Sequence, residues 1–247
     1  MVGKSQIKFI KSLQQKKYRN QNGMFVVEGI KTVQELLDSN IEPYKIYCTT
    51  TELFQYPGDK FEIISEVDLK RISSLKNPNK VLGIFMIPQP GKVDEDDWIL
   101  ALDDVRDPGN LGTIIRLCDW FGIKHLVCSE QTVDCYNPKV LQATMGSITR
   151  VNIVYTDLIH YIEKSELPVY GTFMDSNTVY SSKLPIKGIL VMGNEANGIS
   201  NEIENLVYSK VSIPQPACRT GTFGSNATES LNVATAVAIF LNEIRRP

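Results

Sequence analysis

Short apolar runs bounded by glycine, proline and polar turn residues recur along the chain, with helical spacings between them. In the first third, Met24–Val27, Tyr44–Cys48, Phe61–Ile64 and Val81–Ile87 predict buried strands. Residues 6–19 place Ile7, Ile10 and Leu13 among lysines, which predicts one amphipathic basic helix. A second helix follows Glu28-Gly29, with Val33, Leu36 and Leu37 on its buried stripe. Ser65 with Asp68 resembles a capping box opening a third, which runs to Leu75. The alternation predicts a small α/β domain over residues 1–90. Pro88-Gln89-Pro90-Gly91-Lys92-Val93-Asp94-Glu95-Asp96-Asp97 breaks the pattern and reads as a linker.

Beyond it, residues 97–247 predict a second α/β domain. Its strands are Trp98–Leu102, Lys124–Cys128, Val151–Val154, Val169–Phe173, Ile189–Met192 and Lys210–Ile213. One helix runs from Asn110, read as its N-cap, to Phe121 and ends at Gly122. Others cover 138–145 and 157–164. The last, Ser230–Ile244, is apolar nearly all round, which implies burial in a core or a subunit interface.

The composition, 43% apolar and 22% charged, is that of an ordinary globular protein, and no apolar run reaches membrane-spanning length. Five cysteines without a C-x-x-C pair read as reduced thiols in a cytoplasmic protein rather than a zinc site. The net charge of −2 hides an asymmetry. Residues 1–31 hold Lys4, Lys8, Lys11, Lys16, Lys17, Arg19 and Lys31 against the single acid Glu28. Lys70, Arg71, Lys76, Lys80 and Lys92 follow with no acid among them. A basic front third on an acidic whole points to a polyanionic partner, RNA or DNA.

The two histidines, His125 and His160, lack motif company and read as structural. No G-x-S-x-G, P-loop or G-x-G-x-x-G is present, which weighs against the usual hydrolases, nucleotide triphosphatases and dinucleotide enzymes. Three loops remain, each at the carboxyl end of a predicted strand, where open α/β sheets place ligands. The first holds Asn110 and, six residues on, Arg116, which its apolar neighbours in sequence partly enclose. The second is Gly193 to Gly198 around the lone acid Glu195, followed by Ser200 as an N-cap. The third runs from Ile213-Pro214 to Ser230-Leu231-Asn232, polar residues that open an apolar helix and suit its capping.

N-x-G-x-x-x-R (Asn110–Arg116), G-x-E-x-x-G (Gly193–Gly198), I-P (Ile213-Pro214) and S-L-N-V-A-x-A (Ser230–Ala236) occur in that order. Together they resemble the SpoU (TrmH-like) family of RNA ribose 2′-O-methyltransferases, in the SPOUT superfamily. The front domain, with Phe25-Val26-Val27-Glu28-Gly29-Ile30-Lys31, resembles that family's L7Ae/L30e-like substrate-binding domain. The resemblance implies a parallel-sheet α/β domain with a deep trefoil knot, a rare exception among folds. It implies S-adenosylmethionine bound in the knot by main-chain groups, a homodimer formed through that region, and no metal. Gly193, Ile213 and Leu231 match cofactor-contacting positions, with Asn194 beside them and Thr172 bordering the adenine. Asn110, Arg116, Glu195, Ser230 and Asn232 match the catalytic set. In it, Arg116 would anchor a phosphate and stabilise the developing alkoxide, and Asn110 would orient Arg116 or the ribose.

Ribosomal RNA is the favoured substrate because of the front domain, with transfer RNA as the alternative. An RNA-binding assembly factor that keeps the fold without the chemistry, and a small-molecule enzyme with a lysine-rich surface, are competing readings. One departure from the family is the long stretch 215–229, where Arg219 and Phe223 could add an RNA contact or form part of a lid.

Overall fold

The computed structural model describes residues 2–54, 58–214 and 230–246. In chain order the first elements are α1 (Lys4–Ser12), α2 (Lys16–Asn22), β1 (Met24–Glu28), α3 (Ile30–Leu37), β2 (Pro43–Cys48), β3 (Phe61–Ile63), α4 (Glu66–Ile72) and β4 (Val81–Met86). There follow β5 (Ile99–Leu102), α5 (Pro108–Phe121), β6 (His125–Ser129), α6 (Pro138–Thr144), β7 (Asn152–Thr156) and α7 (Leu158–Lys164). The last are β8 (Val169–Thr178), β9 (Ile189–Met192), α8 (Asn201–Glu204), β10 (Ser209–Ser212) and α9 (Val233–Ile244). No helix among the described residues is long and apolar enough to cross a membrane.

The chain divides into two compact units, Met1–Pro90 with Asp134–Thr149, and Gly91–Val133 with Arg150–Pro247. The first unit is therefore built from two stretches of chain, where the sequence suggests a single break at 88–97. Its sheet runs β1-β4-β2-β3, with β4 antiparallel to both neighbours and β3 parallel to β2. Alternation along the strands gives each face its own cover. Val26, Tyr47, Leu82 and Ile84 pack with Ile10 and Leu13 of the α1 segment and with Leu69 and Ile72 of α4. On the other face Phe25 lies against Phe85 and against Tyr136, with ring centroids 6.0 and 4.6 Å apart.

The single helix expected over 6–19 is two. Gln15 is extended, and the carbonyls of Leu13 and Gln14 turn to Nη1 of Arg19, at 3.0 and 2.8 Å. Nε of Arg19 donates to Asp134 at 3.0 Å, and the guanidinium is 2% exposed. Arg19 therefore holds this corner together and is no part of a surface cation patch. Likewise α4 stops at Ile72 instead of Leu75, because Ser73 and Ser74 leave the helix to donate to the Glu28 carboxylate.

The second unit is a six-stranded sheet, β10-β8-β9-β5-β6-β7, with every neighbouring pair parallel. Residues 91–97 are pinned to it: Gly91 exchanges two hydrogen bonds with the Asn152 side chain, and Val93 packs into the core. Ile99, Ala101, Val127, Ile189 and Val191 face Leu158 and Ile162 of α7 and Ile203 of α8. The alternate residues, Leu100, Leu102, Leu126 and Leu190, are equally buried and face the opposite layer, where α5 packs against α9. Arg245, at the end of α9, closes the unit by a two-pronged bond to Asp97 just ahead of β5, at 2.8 and 2.6 Å.

Strand order reverses at β5. The chain leaves it for β6 and β7 on one side and returns to β8 and β9 on the other. The crevice outside the carboxyl ends of β5 and β9 is thus the sheet's topological switch point, the place where such folds bind ligands.

Candidate functional site

Both strands at the switch point end in loops that bond to each other. The Asp103 carboxylate accepts the Ser200 N–H at 2.7 Å, and the Asp104 carbonyl accepts Nδ2 of Asn194 at 2.7 Å. The second loop closes on itself through paired 2.9 Å bonds between Asn194 and Gly198. That closure requires glycine at 193, since a Cβ there would lie 2.2 Å from the Gly198 carbonyl carbon and the Ile199 nitrogen. Gly198 itself has φ +71°, open to few other residues. Oδ1 of Asn194 accepts from Ala196 and Asn197 at 2.9 and 3.0 Å. The polar groups of Asn194 are therefore all engaged inside the protein.

The closed loop presents Glu195 to the start of α5. Its carboxylate accepts the Arg106 and Asp107 N–H groups, each at 3.3 Å, and Nδ2 of Asn110 at 3.1 Å. A carboxylate suits that position, where unpaired N–H groups and the helix dipole carry partial positive charge. The N-cap of α5 is Asp107, not Asn110. Asp107 accepts the Asn110 N–H at 2.8 Å, with Pro108 at the first helical position. Relieved of capping, Asn110 spends its amide on other loops: while Nδ2 holds Glu195, Oδ1 accepts Nδ2 of Asn232 at 2.8 Å. Asn232 in turn caps α9, accepting from Ala234 and Thr235 at 3.0 and 3.3 Å. Donors and acceptors match at every step, so one side chain joins all three loops.

Arg116 departs from expectation. It is exposed rather than enclosed, and no hydrogen bond or ion pair among the described residues engages its guanidinium or links it to Asn110. The reason is angular. Residues adjacent in sequence are 100° apart on a helix, and the buried stripe of α5 is Leu111, Gly112, Ile114, Ile115 and Cys118. Arg116 lies well off the centre of that stripe, on the solvent side with Thr113 and Trp120.

Gly193 and Ile213 directly follow β9 and β10, and Thr172, inside the adjacent β8, directly follows that strand's ladder with β9. Thr172 Oγ1 donates to the Val191 carbonyl at 3.1 Å, stapling β8 to β9 where β8 leaves its ladder with β10 between Gly171 and Asn177. Ile213 is half-buried, and Ser230 and Leu231 are exposed ahead of α9. These positions carry no formal charge. A ligand held there would meet main-chain groups and apolar surface, which fits a nucleoside better than a bare anion. The stretch 215–229, with Arg219 and Phe223, lies outside the described residues.

Sequence reasoning missed Asp103, Asp104, Arg106 and Asp107. The signal was the pair of adjacent acids directly after a buried strand. His125 is at the opposite, amino edge of the sheet. It is buried between Asn152 and Asp94, each at 3.1 Å, and its bond holds the Asp94 carboxyl below the usual carboxylate range.

Comparison with known proteins is consistent along the chain. The SpoU rRNA Methylase family model matches residues 97–242, and the MRM3-like substrate binding domain matches residues 4–83. The chain is 28% identical over 246 residues to the 23S rRNA (guanosine-2′-O)-methyltransferase RlmP of Bacillus subtilis, covering 97% of this chain and 95% of that one. A solved structure from Porphyromonas gingivalis, assigned to the TrmH family of RNA methyltransferases, superposes with a TM-score of 0.88 at 35% identity, covering 100% and 99% of the two chains. An AdoMet-bound rRNA methyltransferase from Sinorhizobium meliloti gives 0.85 at 29% identity, covering 100% and 97%.

Proposed function

The chain belongs to the SpoU rRNA methylase family, and from that premise we propose that it transfers a methyl group from S-adenosylmethionine to a ribose 2′-hydroxyl of ribosomal RNA. One observation carries the site assignment: Asn110 is bonded at once to Glu195 and to Asn232, so the three motif loops form one constellation.

S-adenosylmethionine, when bound, supplies an electrophilic methyl group. The main chain at Gly193, Ile213 and Leu231, with Thr172 just past the β8–β9 ladder, would hold it. Asn194 belongs to the loop's own bracing, because its groups are already engaged. Glu195, accepting three hydrogen bonds at a helix start, braces the loops. Arg116 is not the base, since a guanidinium stays charged. Its exposed head, unengaged among the described residues, can clamp the phosphate beside the target ribose and stabilise the alkoxide as it forms. The hydroxyl proton passes to that phosphate or to a neighbouring acceptor. Ser230 and Asn232 flank the target nucleotide. Alignment of the reactants can supply up to about 7–11 kcal/mol.

The front unit would grip the RNA. Helices α1 and α4 share one sheet face, and Lys4, Lys8, Lys11, Lys70, Arg71 and Lys76 are exposed on or next to them. The same reading makes residues 1–90 an L7Ae/L30e-like substrate-binding domain and residues 97–247 a catalytic domain with a trefoil knot. It adds a homodimer formed through the knot region and a cytoplasmic place of action. Trp120, 83% exposed on α5, and the partly exposed Ala238 and Ile239 of α9 support the dimer.

Arg116→Ala should abolish transfer of labelled methyl to ribosomal RNA while calorimetric affinity for S-adenosylmethionine is retained. Full turnover in that variant would refute the assignment.

A further inference from the structure

Between β5 and α5 the chain passes through Asp104, one of three described non-glycine residues with positive φ, at +57°. Aspartate tolerates the left-handed region better than most residues, but the conformation still has to be held in place by its surroundings. Here it is held from both sides. The Asp104 N–H donates to Ser129 Oγ at 2.9 Å, and its carbonyl accepts Asn194 Nδ2 at 2.7 Å. The turn aims the carboxylate along the loop, where Oδ1 accepts Nε of Arg106 at 2.8 Å. Arg106 is further tied by its own N–H to Glu195. Its side chain is nevertheless 70% exposed, and no described residue bonds either Nη.

A surface arginine that merely neutralised Asp104 would have no need of a strained backbone to orient it. Among the described residues, Nε is the only guanidinium nitrogen in use. That leaves both Nη groups without a described partner, on the edge that can bind a phosphate bidentately. Of the acids around it, Asp104 is paired with Arg106 itself, while Asp107 and Glu195 are turned to N–H groups at the start of α5. The loop also carries Asn110, so the cation stands beside the constellation described above.

We infer that Arg106 is a second phosphate contact for the substrate RNA, and that Asp104 is the residue that positions it. The inference rests on the methyltransferase reading. Arg106 acts in binding, separately from Arg116, which acts in transfer.

The test compares the full-length parent with Arg106→Ala, Arg106→Lys and Asp104→Asn, using in-vitro-transcribed large-subunit ribosomal RNA. Asn at 104 keeps the tolerance for positive φ, removes the charge and leaves one acceptor oxygen. Arg106→Ala should raise the KM for RNA about tenfold, the loss of one charge-assisted contact, with a much smaller change in kcat at saturating RNA. The slope of log affinity against log salt should fall by about one phosphate's worth. Asp104→Asn should move KM in the same direction, and Arg106→Lys should recover part of the loss. Affinity for S-adenosylmethionine should stay at the parent value throughout. Parent-like RNA affinity and salt slope in Arg106→Ala would overturn the inference. So would a loss of S-adenosylmethionine affinity in step with RNA affinity, which would reduce the pair to loop scaffolding. A parent chain that bound no RNA would overturn the methyltransferase reading and this inference with it.

Discussion

Replacing Asn110 by Ala separates the site from the fold. The change deletes two hydrogen bonds, one donated to Glu195 at 3.1 Å and one accepted from Asn232 at 2.8 Å. Glu195 keeps its two 3.3 Å bonds from Arg106 and Asp107, and Asn232 keeps its role as N-cap. Both orphaned groups are exposed, so water replaces much of what is lost, and the stability cost should be only about 1 kcal/mol. In a unit of this size that is about 2–4 °C in Tm. The catalytic cost should be larger. With the bridge gone, the three loops can drift, and a 1 Å misplacement can cost about a hundredfold in rate. A hundredfold is about 2.7 kcal/mol of barrier, well above the stability loss. Methyl transfer to ribosomal RNA, measured beside thermal unfolding, tests the ratio. In a double-mutant cycle the Asn110→Ala and Glu195→Ala losses in rate should be far from additive, since either breaks the same bridge. A rate loss no larger than the stability loss, or full additivity, would refute the reasoning.

Gly193→Ala should displace the loop, because the new Cβ would meet main chain at 2.2 Å. It should lose about 1–3 kcal/mol of stability together with most S-adenosylmethionine binding, read by calorimetry; normal binding would mean the loop does not border the cofactor. Asp134→Ala strands the 2%-exposed Arg19 and should cost about 3–5 kcal/mol in urea unfolding, and a loss well below that range would show the guanidinium finds water. Asp97→Asn breaks the clamp on Arg245 at the end of α9 and should cost about 1–2 kcal/mol at neutral pH. The Arg245 hydrogen bonds hold the folded Asp97 carboxyl below its ordinary range. Its stabilisation is therefore complete above the unfolded value of about 4 and is lost as pH falls through the folded one. The gap between parent and variant should close steadily in acid, and a gap independent of pH would rule the carboxylate out.

What the sequence discloses and what it conceals divide along one line. Strand positions are legible because burial on both faces of a sheet needs a continuous apolar run, and Ile189–Met192 appears within its predicted bounds. The glycines at 193 and 198 are legible because backbone demands exclude other residues. The errors concern where polar side chains point. Arg116 has apolar neighbours in the chain, but those neighbours are 100° away around the helix. Asn110 is a good N-cap by residue type, yet Asp107 sits one residue ahead of Pro108 and takes the cap. Arg19 reads in the sequence as one more surface cation, because no local pattern announces a partner as distant in the chain as Asp134. Each error is a choice among polar partners, and such choices are made by three-dimensional neighbours that periodicity does not encode. The same fact explains why the site is recognisable at all. Asn110, Glu195 and Asn232 lie on three separate stretches of chain, and what ties them is a complementary sequence of donors and acceptors. A primary amide can donate to a carboxylate through its nitrogen and accept from another amide through its oxygen at once. At Asn110 that dual capacity, more than any charge, joins three short motifs into one place.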